Sequence, residues 1–307
     1  MSSKEKYFSL DYNCTPSDLR IEPKDAITPI LCLDETAIEG TMYYQADWLM
    51  KPFTQQGMVI NESDKLMVFL GTDPDDHENL GAEIEIWLEN DKLTLTETCI
   101  VFVPKGTAHG KMVAKNVTRP LIHYFCLLNS GTLEEEPARA IIPAGTFADH
   151  MVTKYAPVDG FLPPAPEGFL TRLLWIDGLK LDGAPYMEAV RFHTANDEGP
   201  ENHTHDFDEL IGFLGMDPDA PDDLHGIVTL LVDGETVEFT KSCVVYIPRD
   251  VTHSPILVPR LDQSIIHFSG GNGGDYARRD KDNKESFRGV DIPGESIDPG
   301  YLADTRG

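Results

Sequence analysis

The sequence predicts an all-β protein built as two tandem jelly-roll-like barrels. Three observations carry that expectation: the chain repeats itself at long range, each repeat breaks into short apolar or alternating runs separated by turn dipeptides, and helical periodicity is hard to find. A length of 307 residues at 41% hydrophobic content is enough for two domains, each with its own core.

The repeat is plain in direct comparison. FLGTDPD at 69–75 returns as FLGMDPD at 213–219, CIVFVPKGTAH at 99–109 as CVVYIPRDVTH at 243–253, and LIHYF at 121–125 as IIHFS at 265–269. All three pairs share an offset of 144 residues, while ILCLDETAIEGTMYY at 30–44 matches LLWIDGLKLDGAPYM at 173–187 at 143. The expected organisation is an N-terminal segment over 1–26, a first barrel over 27–130, a linker over 131–168, a second barrel over 169–270 and a polar tail over 271–307. The linker is rich in Pro, Gly and acidic residues.

Within each repeat the runs read as strands: GIVTLLV, ETVEF, CVVYIP and QSIIHF in the second, with Asp233-Gly234 as a two-residue hairpin turn. Regularly spaced short strands over about a hundred residues imply a sandwich or barrel, for which the jelly roll is an economical closure.

Composition narrows the function classes. Fifty-two acidic against twenty-five basic residues give a formal charge of −27, a field that repels phosphate backbones and anionic membrane surfaces. Nucleic acid and membrane are therefore not expected partners. The start MSSKEKYFSLDYN has no apolar run of secretory length and no stretch of about eighteen apolar residues occurs, so a cytoplasmic protein is expected. Cys14, Cys32, Cys99, Cys126 and Cys243 are odd in number and mostly inside apolar runs, which suits reduced, packed thiols.

The segment ENHTHDFDEL at 201–210 carries the chemistry. In a strand, His203, His205 and Glu209 fall on one face and Thr204, Asp206 and Asp208 on the other, while Ile211 and Phe213 continue the inward parity. Ionisable groups facing an apolar interior suffer desolvation, and a bound cation is the natural compensation. His253 follows Pro248 at a bend, where a facing strand could deliver a fourth ligand. The competing reading is a hydrogen-bonded polar cluster.

These residues resemble the motifs of the cupin superfamily, and the duplication resembles its two-domain form, the bicupin. The first motif, H-x-H with a Glu and then a Gly, is matched by His203, His205, Glu209 and Gly215. The second, P-x-G-x-x-H, is matched by Pro104, Gly106 and His109, and by Pro248, Asp250 and His253 with aspartate in place of glycine. The resemblance covers both repeats and implies two jelly-roll barrels. Three imidazoles and a carboxylate on an octahedral dication leave two adjacent open positions, suited to chelating substrates. Manganese, iron(II) and nickel fit this set better than zinc, which stays an option.

In the first repeat the same positions hold Val59, Asn61, Lys65 and His109. An ammonium at Lys65 would repel a divalent cation. The preferred reading is a decayed site whose lysine snorkels outward, and the alternative is an anion pocket built on Lys65 and His109. His123 and His267 are equivalent in both repeats and read as core histidines satisfied by hydrogen bonds. Arg191 and His193, just before the ligand segment, are candidates to reach a substrate carboxylate or to lie in solvent. Asp250 reads as a turn residue. The expected function is a mononuclear metalloenzyme of dioxygenase, decarboxylase, isomerase or lyase type acting on a small chelating organic acid, enol or phenol. The alternative is a metal-containing protein that binds or senses a small molecule without turnover. Self-association into a homo-oligomer is left open.

Overall fold

The computed structural model describes residues 1–12, 14, 20–157 and 166–274, together with the backbone of Ala277–Arg279 and Glu285–Arg288. Among these residues the chain is almost entirely β, as its short runs predict. Two six-stranded antiparallel sheets repeat one order. In the first barrel it runs Met151–Val152, Cys99–Val103, Lys65–Leu70, Leu121–Leu127, Tyr43–Leu49, Ile27–Leu33. In the second it runs Phe8–Ser9, Cys243–Ile247, Glu209–Gly215, Ile265–Gly271, Tyr186–Phe192, Leu170–Ile176. Each sheet is closed by a second one. Asn79–Leu88, Asp91–Glu97 and His109–Lys115 belong to that of the first barrel, and Asp223–Val232, Glu235–Lys241 and His253–Leu261 form that of the second.

The apolar residues sort into three cores. One fills the first barrel around Phe69, Ile84, Leu95 and Phe125, and another fills the second around Phe213, Val228, Phe239 and Val258. The third lies between the barrels, where the outer faces of the two six-stranded sheets meet through Trp48, Tyr124, Leu174, Met187 and Phe268. This explains the strand sequences. Lys65–Leu70 and Leu121–Leu127 are buried at every position because both their faces are covered, whereas Asp91–Glu97 and Glu235–Lys241 have one wet face and alternate. At the contact between sheets the Phe268 ring lies 4.6 Å from Tyr124 and 5.0 Å from Tyr44, centroid to centroid. A Cβ on Gly212 would sit 1.9 Å from a Phe268 ring atom, so only glycine admits that ring.

Local turn chemistry follows the sequence. Asp233 and Gly234 have φ of 51° and 79°, both positive as the predicted two-residue hairpin requires. Asp250 also has positive φ, 63°, matching Gly106 at 75° in the first barrel, and aspartate tolerates that conformation better than most residues.

The terminal segments are placed in a way the repeat did not suggest. The second barrel takes its outermost strand from the N-terminal segment, with Phe8 opposite Val245, and Tyr7 is buried in that barrel's core. The first barrel takes its outermost strand from the linker, with Val152 opposite Ile100. The linker also supplies Glu135–Pro137, which pairs with Val59–Asn61. The expectation that all five cysteines are reduced is corrected: Cys14 and Cys32 are disulfide-bonded with Cα atoms 5.6 Å apart, while Cys99, Cys126 and Cys243 are free and buried. The bridge is made by a loop residue packing onto a strand, a contact that spacing along the chain does not reveal. Part of the linker and most of the polar tail lie outside the described residues. No helix among the described residues is long and apolar enough to cross a membrane.

Candidate metal centre

The ligand segment is not one continuous strand. His203 pairs with His253, each N–H donating to the other's carbonyl at 3.0 Å, then the chain bends at Asp206 and Phe207 before the strand Glu209–Gly215 begins. The bend is pinned from outside. Asp208 accepts from the Arg249 N–H at 2.9 Å and from Asn272 Nδ2 at 3.1 Å, while the Asp250 N–H donates to the His205 carbonyl at 2.9 Å. His203, His205 and Glu209 therefore converge as expected, though by a pairing and a bend rather than by simple alternation.

The convergence is tight. Ligand atoms of His203, His205 and His253 lie within 4.8 Å of one another. Glu209 Oε2 joins them at 3.1 Å from His253 Nε2 and 3.6 Å from His205 Nε2. All four residues are buried: His203 is 7% exposed, His205 2%, Glu209 2% and His253 1%. His203 Nδ1 and His253 Nδ1 donate to the carbonyls of Glu201 and Val251 at 2.6 and 3.0 Å, which leaves each Nε2 as the lone-pair nitrogen turned inward. Burial alone would raise the Glu209 carboxyl, but the His205 and His253 imidazoles, when protonated in place of holding a metal, and the Ser269 hydroxyl outweigh it and lower the group to about 2. The donor set thus consists of imidazole nitrogens and an ionised carboxylate in a dry pocket, which fits a divalent transition metal.

Several surrounding residues carried no signal in the sequence. Ser269 Oγ donates to Glu209 Oε1 at 2.6 Å and fixes the carboxylate from behind. The Phe207 ring stacks on His205 at 4.6 Å and packs with Trp175 and Tyr186. Glu188 lies opposite Ser269 in the sheet and accepts from the Tyr155 hydroxyl at 2.7 Å. Spacing alone cannot find Ser269, Trp175, Tyr186, Glu188 or Tyr155, because they come from other strands or from the linker.

Arg191 and His193 are not brought to this cluster. Arg191 shares its strand face with Met187 and Ala189, which pack between the barrels, and its Nη1 donates to the Asp73 carbonyl of the first barrel at 2.6 Å. It pairs with Ile266, at the far end of that strand from Gly271, the partner of Glu209. His193 bonds Thr171 Oγ1 at 2.7 Å and Ser264 Oγ at 3.3 Å. His123 and His267 are core histidines as expected, bonded through Nδ1 to the carbonyls of Val68 and Gly212, and burial lowers both to about 4.

In the first barrel His109 pairs with Val59 as His253 does with His203. The expectation that Lys65 snorkels outward is corrected. Lys65 is 4% exposed, and its Nζ lies 3.4 Å from His109 Nε2, 3.4 Å from Glu135 Oε1 and 4.2 Å from the centroid of the Phe125 ring. Burial pulls the ammonium below its usual range and Glu135 partly restores it. Burial and the neighbouring Lys65 hold His109 neutral, at about 3.

Comparison with known proteins points the same way as the motifs. A variant of Bacillus subtilis oxalate decarboxylase superposes with a TM-score of 0.54 at 12% identity, covering 89% of this chain and 81% of that one. The formate complex of Lactobacillus farciminis oxalate decarboxylase gives 0.54 at 9% identity, covering 89% and 90%. A further Bacillus subtilis structure, described by its Mn(II) centres, gives 0.53 at 12% identity, covering 89% and 81%. No protein-family model matches the chain, and no curated protein matches it in sequence. The chain shares the two-barrel fold of these structures, and among the described residues the imidazole and carboxylate cluster lies in its second barrel.

Proposed function

We propose that the chain is a metal-dependent enzyme of the two-barrel cupin type, holding one divalent transition metal in its second barrel through His203, His205, Glu209 and His253. The observation that carries this reading is the buried convergence of three imidazoles on an ionised carboxylate. Manganese, iron(II) and nickel suit these donors, with zinc the fourth option. When bound, such an ion supplies Lewis-acid polarisation or oxygen activation. The chain's own residues do the rest. Ser269 keeps Glu209 aimed inward, and Phe207, Tyr186 and Trp175 make a dry aromatic wall.

The substrate class is a small chelating organic acid, enol or phenol, acted on by dioxygenase, decarboxylase, isomerase or lyase chemistry. The oxalate named in the neighbouring structures is an acid of that kind, which supports the class and does not select the reaction. The formal charge of −27 favours a soluble small molecule over nucleic acid or membrane as partner, and a cytoplasmic location suits it.

The test is elemental analysis of protein purified without added metal, followed by titration of the cobalt-substituted site with pairs of acids differing only in a second oxygen. About one equivalent of metal, tighter binding of the chelating member and its consumption are expected. Absence of metal after loading overturns the reading. Chelating acids that bind and persist unchanged would make the protein a binding or sensing module instead.

A further inference from the structure

The polar interior of the first barrel has no part in the chemistry of the second, yet it is built around a buried cation. Lys65 Nζ has two polar contacts, His109 Nε2 and Glu135 Oε1, both at 3.4 Å. Charge-assisted hydrogen bonds are shorter, about 2.7–2.9 Å, so both contacts are long for an ammonium. Its other neighbour is the face of Phe125. His109 Nδ1 bonds the Thr107 carbonyl at 2.9 Å, and the ring is neutral, so it adds no charge to the site.

Two further polar groups are stranded there. Asn61 Oδ1 and Ser63 Oγ are buried with no hydrogen-bond partner, in residues only 2% and 8% exposed. In the repeat they stand where His205 and Phe207 stand in the second barrel, and both of those side chains face the metal-ligand cluster. The Asn61 amide donates through Nδ2 to the Glu134 carbonyl at 3.4 Å. A buried ammonium with only long polar contacts and, two residues before it on the chain, a buried hydroxyl with no partner are the donors an anion receptor needs. Glu135 shows that a carboxylate fits beside the ammonium. Because it is tethered to the short strand Glu135–Pro137, it stops short of contact distance.

We propose that the first barrel is a metal-independent binding site for a small carboxylate anion of formate or acetate size, seated against Lys65 and Ser63, with Glu135 of the linker as its built-in competitor. A free carboxylate satisfies the ammonium at full hydrogen-bond distance and pairs the stranded hydroxyl. Glu135 then moves toward solvent, which it already partly meets with 11% of its side chain exposed.

The experiment is a titration of the full chain, stripped of metal with a chelator, with carbon-13-labelled formate and acetate, read by line broadening and calorimetry. One saturable site is expected. Lys65→Met should weaken it at least tenfold, Glu135→Gln should tighten it severalfold, and His205→Ala should leave it unchanged, which separates this site from the metal reading of the second barrel. If Lys65→Met does not fold, Ser63→Ala, which removes only the stranded hydroxyl, should weaken binding severalfold. Absence of saturable binding in the metal-free chain, or binding that neither Lys65→Met nor Ser63→Ala weakens, overturns the proposal.

Discussion

The two barrels share a strand order, a histidine-bearing turn and a pair of core histidines, and they differ in how they fill the same interior point. In the second barrel His203, His205, Glu209 and His253 converge as the ligand set proposed for a cation from solution. In the first barrel Lys65 brings its own cation on a tether, next to the one surviving histidine, His109. The lesson is electrostatic. A strand pairing that places a side chain in a dry barrel can be satisfied by an imported charge or by a built-in one, and here the two barrels differ at three of the four positions, with Val59, Asn61 and Lys65 where His203, His205 and Glu209 stand. The backbone hardly registers the change: Leu127 faces Lys65 across the sheet just as Gly271 faces Glu209.

The largest expected effect comes from breaking the second barrel's half of that contrast. His205→Ala removes a buried imidazole from the donor set, and metal affinity should fall well over a hundredfold. Bound metal measured after gel filtration should drop from about one equivalent to near zero. Lys65→Ala should leave the metal content untouched, because its ammonium lies in the other barrel. Metal retained by His205→Ala and lost by Lys65→Ala would reverse the assignment of the two interiors.

This contrast is largely legible in the sequence. The repeat aligned Lys65 with Glu209, and motif spacing singled out His203, His205 and His253. What stayed hidden were the partners brought from far away in the chain. Whether a lysine snorkels depends on what waits inside, and Glu135 lies 70 residues on from Lys65 in a linker with no strand pattern. Arg191 was ambiguous for a related reason. Both faces of Tyr186–Phe192 are buried, so alternation could not say which face lines the barrel and which meets its neighbour. The exchange of outer strands, Phe8–Ser9 to the second barrel and Met151–Val152 to the first, was equally invisible, because two-residue strands carry no period.

A second difference between the interiors is Asp47, which the repeat aligns with Val190. Burial raises the Asp47 carboxyl from 3.8 to about 7, against a lowering by the Gln45 amide that donates to it at 2.7 Å. Between those values the folded chain holds a proton that the unfolded chain has released. Stability therefore falls as pH rises from about 4 to about 7, and the full cost is present above that range. A side-chain amide at this position has no such proton to lose. Asp47→Asn should match the wild type below about pH 4 and gain on it through the window, by about 2–4 kcal/mol above pH 7. Urea unfolding from pH 4 to pH 8 checks this, and a constant difference across that range would mean that Asp47 is ionised throughout in the folded chain.

The contact between the barrels is asymmetric too. Gly212 takes the place of Val68 so that Phe268 can lie flat against it, whereas Tyr124, the counterpart of Phe268, meets no such opening. Gly212→Ala would place a methyl within the ring, with an expected loss of about 1–3 kcal/mol in unfolding free energy. The substitution should also decouple the barrels, splitting a single thermal transition into two. Full stability in the variant would mean that the ring has another place to go.

The smallest effect concerns the exchanged strands. Tyr7 is 1% exposed, with its ring in the second barrel's core and its hydroxyl donating to Asp233 Oδ2 at 3.0 Å, in a side chain that is 54% exposed. The ring and the hydroxyl therefore do different work. Tyr7→Phe keeps the packing and gives up two hydrogen bonds to exposed partners, the one donated to Asp233 and the one accepted from Lys6, a loss of about 0.5–1 kcal/mol. Tyr7→Ala would open a cavity costing about 3–5 kcal/mol and should release the strand Phe8–Ser9 from Cys243–Ile247. Amide exchange separates the outcomes. In Tyr7→Phe protection should fall slightly and only in Cys243–Ile247, leaving the equivalent Cys99–Val103 unchanged because its outer neighbour is Met151–Val152. An equal fall in both strands would show that the N-terminal segment steadies the contact between the barrels rather than the second barrel alone.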